Sequence, residues 1–148
     1  AYPMKRRLDE TDRRLIARLL ENARIPIAAL ARDVGLSRSA VQERLERLEK
    51  SQTIMGYTVQ LGDQARPVLL AEVMIQLEQK QSAGVVGALQ KIPHCIRCLA
   101  IAGEFDLIAE IAADTSEELD TVLDRIGGLA GIKRTSSSII LSTKFDRR

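Results

Sequence analysis

Along the first third of the chain, apolar residues recur at helical spacing. In "LDETDRRLIARLLEN", Leu15, Ile16, Leu19 and Leu20 fall at i, i+1, i+4 and i+5, one face of a helix. Asp9 can cap it, and Asp12, three residues on, supplies a carboxylate version of the capping box. A second pattern, "IAALARDV", sets Ile27, Leu30, Ala31 and Val34 on one side and stops at Gly35. A tight link between helices needs a positive φ, which glycine reaches without a Cβ clash. Leu36 follows as an apolar plug, and Ser37 is a strong N-cap for a third helix, "SRSAVQERLERLE". At 100° per residue, Val41, Leu45 and Leu48 share about 60° of arc and define its buried seam.

After that helix the period shortens. Ile54, Tyr57, Val59 and Leu61 in "IMGYTVQL" predict a short linker strand, closed by the turn-rich "GDQARP". From Val68 the pattern has period two. "VLLAEVMIQLE" predicts a strand, and "SAGVVGALQKI" a helix with Val85, Val86, Leu89 and Ile92 on one face. "CIRCLAIAG" and "FDLIAEIAAD" predict two more strands, "SEELDTVLDRIGGL" a helix capped by Ser116, and "IKRTSSSIILST" the last strand. The order β-α-β-β-α-β is the ferredoxin-like arrangement, an antiparallel sheet with both helices on one face. The expected fold class is therefore α+β. A winged-helix-like helix-turn-helix of three helices (1–53) is followed by a linker strand and turn (54–67) and a ferredoxin-like domain (68–148). The sheet face without helices would expose an apolar patch, and self-association covers it.

Charge adds a function to the third helix. Residues 1–50 carry 12 Lys and Arg against 8 Asp and Glu, while the remainder of the 148-residue chain is net acidic, so the two parts suit different partners. Ser39, Gln42, Glu43 and Glu46 project away from the apolar seam, with Arg38 in the exposed first turn and Arg47 on one flank. Arg, Ser and Gln there suit guanine, adenine and phosphate acceptors in double-stranded DNA, and the helix amino end favours a phosphate. Three helices, the glycine turn, Ser37 and the basic bias together read as a helix-turn-helix with its recognition helix last. Arg44, about 60° from the seam, is assigned to phosphate or to an intramolecular ion pair. The seven residues "AYPMKRR" fit either a basic arm on DNA or an unstructured tail.

Composition excludes more than it adds. No apolar run is long enough to span a membrane. No apolar segment follows the amino-terminal basic residues, which points away from a secretory signal and toward the cytoplasm, with two reduced cysteines. At 3% aromatic and no Trp, the chain lacks a stacking platform for single strands.

The segments "LDETDRRLIARLLENAR", "LARDVGLSRSAVQERLERLE", "IMGY", "AGEFDL" and "GIKRTSSSIIL", in that order, resemble the Lrp/AsnC (feast/famine) transcriptional regulators from Leu8 to about Thr143. The resemblance implies a dimer, often built up into octamers, with a small amino-acid effector held between dimers and no other cofactor. It also implies that Gly103 and Asp106, in the loop with Glu104 and Phe105, border the effector, and that Ser137 stands where a threonine is usual. On that reading the ammonium needs an acceptor and the carboxylate backbone or hydroxyl donors. Three departures stand out. Pro26 and Ala29 replace the usual Ser and Glu at the start of the second helix, so that end should be less well capped. Gln52 replaces a glycine after the third helix, putting the same helix ending in doubt. Leu99 replaces a residue that is often polar.

Other functions find less support. "HCIRC" contains a C-x-x-C beside a His, but zinc prefers four ligands, and strand residues three apart face opposite sides unless a bulge intervenes. No P-loop, dinucleotide fingerprint or nucleophile elbow is present, so an enzyme is not expected. The principal rival is an architectural DNA-binding protein of the same shape that ignores amino acids.

Overall fold

The computed structural model describes residues 8–147, so "AYPMKRR" lies outside the described residues. The chain divides into two compact units at Gln60/Leu61, with 145–147 belonging to the first. No helix among the described residues is long and apolar enough to cross a membrane.

The first unit holds helices α1 (Glu10–Glu21), α2 (Ile27–Val34) and α3 (Arg38–Lys50). Leu15, Leu30, Ala31, Val41, Leu45 and Leu48 close its core, one contribution or more from each helix. Each fully buried Leu or Val contributes about 1.5–3 kcal/mol. Asp9 caps α1 by accepting from the Asp12 N–H at 2.7 Å, and Asp12 turns its own carboxylate to Arg44. Pro26 is the N-cap of α2 and offers no side-chain acceptor, as its chemistry dictates. Gly35 ends α2 at φ 71° and ψ 33°, in the left-handed region. The Leu36 N–H reaches back to the Ala31 carbonyl at 3.0 Å, the long bond of a Schellman motif. Gln52 takes φ 57° although it is no glycine, so the left-handed helix ending forms after all. Its N–H donates to the Glu49 carbonyl at 3.0 Å and its side-chain amide to the same oxygen at 3.2 Å, local bonds that offset the backbone cost.

The expected linker strand does not form among the described residues. Among the described residues no strand occurs before Leu69: a strand needs a backbone partner, and none of the described strands pairs with 54–60. Met55, Tyr57, Val59 and Leu61 are consequently exposed.

The second unit contains β1 (Leu69–Leu77), a short 3₁₀ turn (Gln79–Gln81), α4 (Ser82–Gln90), β2 (Cys95–Ala100), β3 (Leu107–Ala113), α5 (Ser116–Gly127) and β4 (Ile132–Ile140). The sheet order is β2-β3-β1-β4 with every pair antiparallel, the ferredoxin-like arrangement. Alternate β1 residues Ala71, Val73, Ile75 and Leu77 pack with Val85, Leu89, Leu119, Val122 and Ile126 of the helices in one core. Val86 does not join them; it lies 100° round from Val85 and is exposed. α5 is capped one residue earlier than Ser116: Thr115 Oγ1 accepts from the Glu118 N–H at 3.2 Å. A bulge between Cys95 and Arg97 resets the side-chain alternation of β2, pairing Cys95 with Ile111 and Cys98 with Ala109.

Candidate nucleic-acid interface and ligand loop

Burial of Val41, Leu45 and Leu48 fixes which side of α3 faces outward. Ser37, Arg38, Ser39, Gln42, Glu43 and Arg47 are all exposed on it or at its start. Ser37 Oγ accepts from the Ala40 N–H at 3.1 Å and lies 3.2 Å from Ser39 Oγ, so its hydroxyl starts the helix. Among the described residues Arg38 and Gln42 make no hydrogen bond or ion pair, which leaves a guanidinium fork and an amide for an external partner. Arg47 contributes positive field toward Asp9, whose carboxyl is lowered chiefly by the Asp12 N–H and then by Arg44.

Arg44 is half-buried at the edge of the seam. Its Nη1 meets Asp9 Oδ2 at 2.8 Å and Asp12 Oδ1 at 3.0 Å. Those hydrogen bonds, to Asp9 first, raise its own pKa. Of the two roles expected, the ion pair is the one that forms, and the phosphate assignment is withdrawn. The guanidinium ties the recognition helix to the start of α1.

One basic residue escaped the sequence reading. Arg32 shares with Ser37 and Arg38 a concavity of about 560 Å³ whose floor is Ala28, Ala31, Gly35 and Leu36. The signal was an arginine in the last turn of α2, three residues before the turn glycine. Tyr57 was likewise read only as a strand residue; its hydroxyl donates to Glu49 Oε1 at 2.7 Å, at the far end of α3. Burial and that carboxylate push its pKa up to about 12.

In the second unit the expected loop residues come together. Gly103 has φ 148°, and nothing lies within 4 Å of the place a Cβ would take. Asp106 is a latch: its N–H donates to the Ile75 carbonyl at 2.8 Å and its own carbonyl accepts from the Ile101 N–H at 2.9 Å. Its carboxylate accepts from the Leu77 N–H at 2.9 Å and from the Gln79 amide at 3.0 Å. The open acceptor expected at Asp106 is thus already engaged. Glu104 pairs with Arg134, which lies 4.8 Å over the Phe105 ring. Ser137 does not join this cluster: Arg134 is paired with Gln76 and Ser137 with Val73, roughly 10 Å further along β4 at 3.4 Å per residue. Leu99 pairs with Ile108 and is 40% exposed.

The bulge in β2 overturns one step of the cysteine argument, since Cys95 and Cys98 now share the core-facing side. Both are free thiols whose pKa burial pushes up, which favours the unreactive form. His94 Nε2 instead meets Glu118 Oε1 at 2.7 Å, and no group of three His, Cys, Asp or Glu among the described residues is placed to hold a metal.

Family models match both units. The AsnC-type helix-turn-helix domain covers residues 8–49, and the Lrp/AsnC ligand binding domain covers residues 70–148. The transcriptional regulator LrpA of Mycobacterium tuberculosis is 32% identical over 98% of this chain and 97% of its own length. The transcriptional regulator FL11 of Pyrococcus abyssi is 30% identical over 95% of this chain and 93% of its own. Among solved structures, the feast or famine regulatory protein of M. tuberculosis complexed with L-methionine superposes with a TM-score of 0.85 at 34% identity, covering 95% of this chain and 97% of that one.

Proposed function

The chain belongs to the Lrp/AsnC family of DNA-binding transcriptional regulators and is not an enzyme, and from that premise we propose that α3 reads base edges in the major groove under the control of a small amino acid. The observation that carries the reading is the outward face of α3, where Arg38 and Gln42 stand exposed without partners among the described residues over a fully buried seam. Arg38, Ser39 and Gln42 contact bases, Arg47 and Arg32 take phosphates, and Ser37 and Glu43 set the helix start and its rim. A dimer formed in the cytoplasm places two such helices in successive major grooves of a pseudo-palindromic site. The open face of the sheet, where Leu70, Met74, Leu99 and Ile108 stand among Glu72, Arg97 and Glu110, supports self-association, which can proceed to octamers.

The effector half rests on the loop Gly103–Asp106 and on the relative that is complexed with L-methionine. An amino acid held between dimers by this loop shifts the assembly toward the state it binds better and so changes promoter affinity. Two measurements test the halves separately. In fluorescence anisotropy Gln42→Ala should relax sequence preference; an equal loss on every sequence would remove it as a base reader. In thermal unfolding against a panel of amino acids, a ligand at 100 times its Kd adds about 2.7 kcal/mol. No shift with any amino acid favours the purely architectural reading.

A further inference from the structure

Two carboxylates stand in the loop between β2 and β3, and their surroundings give them different roles. Both oxygens of Asp106 are on neutral donors, the Leu77 N–H and the Gln79 amide, which pin the loop to the end of β1. Glu104 is exposed, and its carboxylate meets a single partner, the Arg134 guanidinium. Arg134 in turn lies over Phe105, with 4.8 Å from its guanidinium carbon to the ring centroid. Stacking restricts a long side chain and leaves the edges of the planar fork free for a second acceptor. Beside the pair, Gly103 leaves open space where any other residue would project a Cβ. Gln76 holds the backbone of the same loop through the Glu104 carbonyl at 3.4 Å.

We propose that Glu104 and Arg134, and not Asp106, recognise the two charges of an α-amino acid. Its ammonium goes to Glu104 and its carboxylate to Arg134, and the ion pair between them opens to admit the zwitterion. The proposal rests on the amino-acid-sensing reading above and names the groups that make it selective. An exposed ion pair contributes little to stability, so its opening costs little. A guanidinium–carboxylate pair is directional and can be bidentate, so the exchange favours a ligand with a free carboxylate. Without a ligand, the same pair keeps both side chains at the loop with opposite charges side by side. A zwitterion carries the complementary arrangement across a single carbon atom. Arg134 is therefore the residue that rejects amides and peptide-bonded amino acids, which lack the free carboxylate.

Calorimetric titration of the full chain with L-methionine and with L-methioninamide tests this. The wild type should bind L-methionine about tenfold or more tightly than the amide, a 1.4 kcal/mol difference. Arg134→Gln should bring the two within about threefold, and Arg134→Lys, which keeps the charge and loses the fork, should fall between. Glu104→Gln should likewise abolish the preference for L-methionine over 4-(methylthio)butanoate, which lacks the ammonium. Each ratio compares two ligands on one protein, so a general loss of stability cancels. A wild type that binds no amino acid ends the sensor reading itself. A wild type that binds L-methionine while Arg134→Gln keeps the wild-type ratio, or that never discriminates against the amide, overturns this assignment alone.

Discussion

Gly35 offers a quantitative test of the helix-turn-helix geometry. At φ 71° and ψ 33° it lies in the left-handed region, and a Cβ built there would meet nothing within 4 Å. Gly35→Ala therefore carries no steric term and isolates the backbone one. The left-handed conformation costs an L-residue about 1–2 kcal/mol, while the reduced freedom of the unfolded chain returns about 0.4–1 kcal/mol. The net loss is about 1 kcal/mol, which for a helical unit of this size lowers the midpoint by about 4–8 °C. Asparagine tolerates this region better than alanine, so Gly35→Asn should lie between alanine and wild type. Urea unfolding followed by far-UV circular dichroism reads all three proteins, with an unchanged m-value as the check that the unfolded state is comparable. A loss above about 3 kcal/mol would mean an unseen clash of the overpacking kind. No loss, or asparagine worse than alanine, would refute the positive φ. Well below the midpoint, DNA affinity should be unaffected, because the angle between α2 and α3 does not change.

Two further outcomes follow from ionisation. The pKa of Glu118 is lowered by His94, then by the Asp114 N–H. Its stabilising contribution is thus full above the unfolded pKa and lost as pH falls through the lower folded value. Glu118→Gln should flatten the acid limb of stability against pH measured by urea midpoints, and an unchanged limb would remove the His94 pair as its source. Tyr57 titrates at about 12 in the folded chain, above the ordinary value near 10. Absorbance at alkaline pH should resolve this one phenol from the other of the two tyrosines; Glu49→Gln should lower it, and no change would show that Glu49 is not among its causes.

What was legible in the sequence was what neighbours along the chain decide. Asp9, Gly35 and Ser37 act within four residues of themselves, and Leu30, Val41 and Leu45 declare their burial by spacing alone. Partners distant in sequence were not legible. Residues 57–61 alternate like a strand, yet no strand among the described residues pairs with them. The bulge at Cys95 comes from the register against β3 and reverses a side-chain direction that ideal alternation assigns. The carboxylate of Asp106 looked available until folding brought Leu77 and Gln79 to it. Arg134, 30 positions from Glu104, gave no local sign beyond a basic pair before a run of serines. Gln52 shows the limit of residue type, since a glutamine reached the glycine conformation with help from its own side chain.

The ion pair that holds Arg44 to Asp9 and Asp12 also bears on how the protein searches a genome. Each arginine laid against a phosphate displaces condensed counterions and adds about 0.9 to the slope of log affinity against log salt. With one such residue withheld from each recognition helix, the dimer proposed above forgoes about 1.8 of slope, or about a twelvefold affinity change between 50 and 200 mM salt. That forgone attraction is blind to sequence, so random DNA loses it as fully as the promoter does. Under the function proposed above, the regulator dwells less on unrelated DNA, and its discrimination leans on Arg38, Ser39 and Gln42.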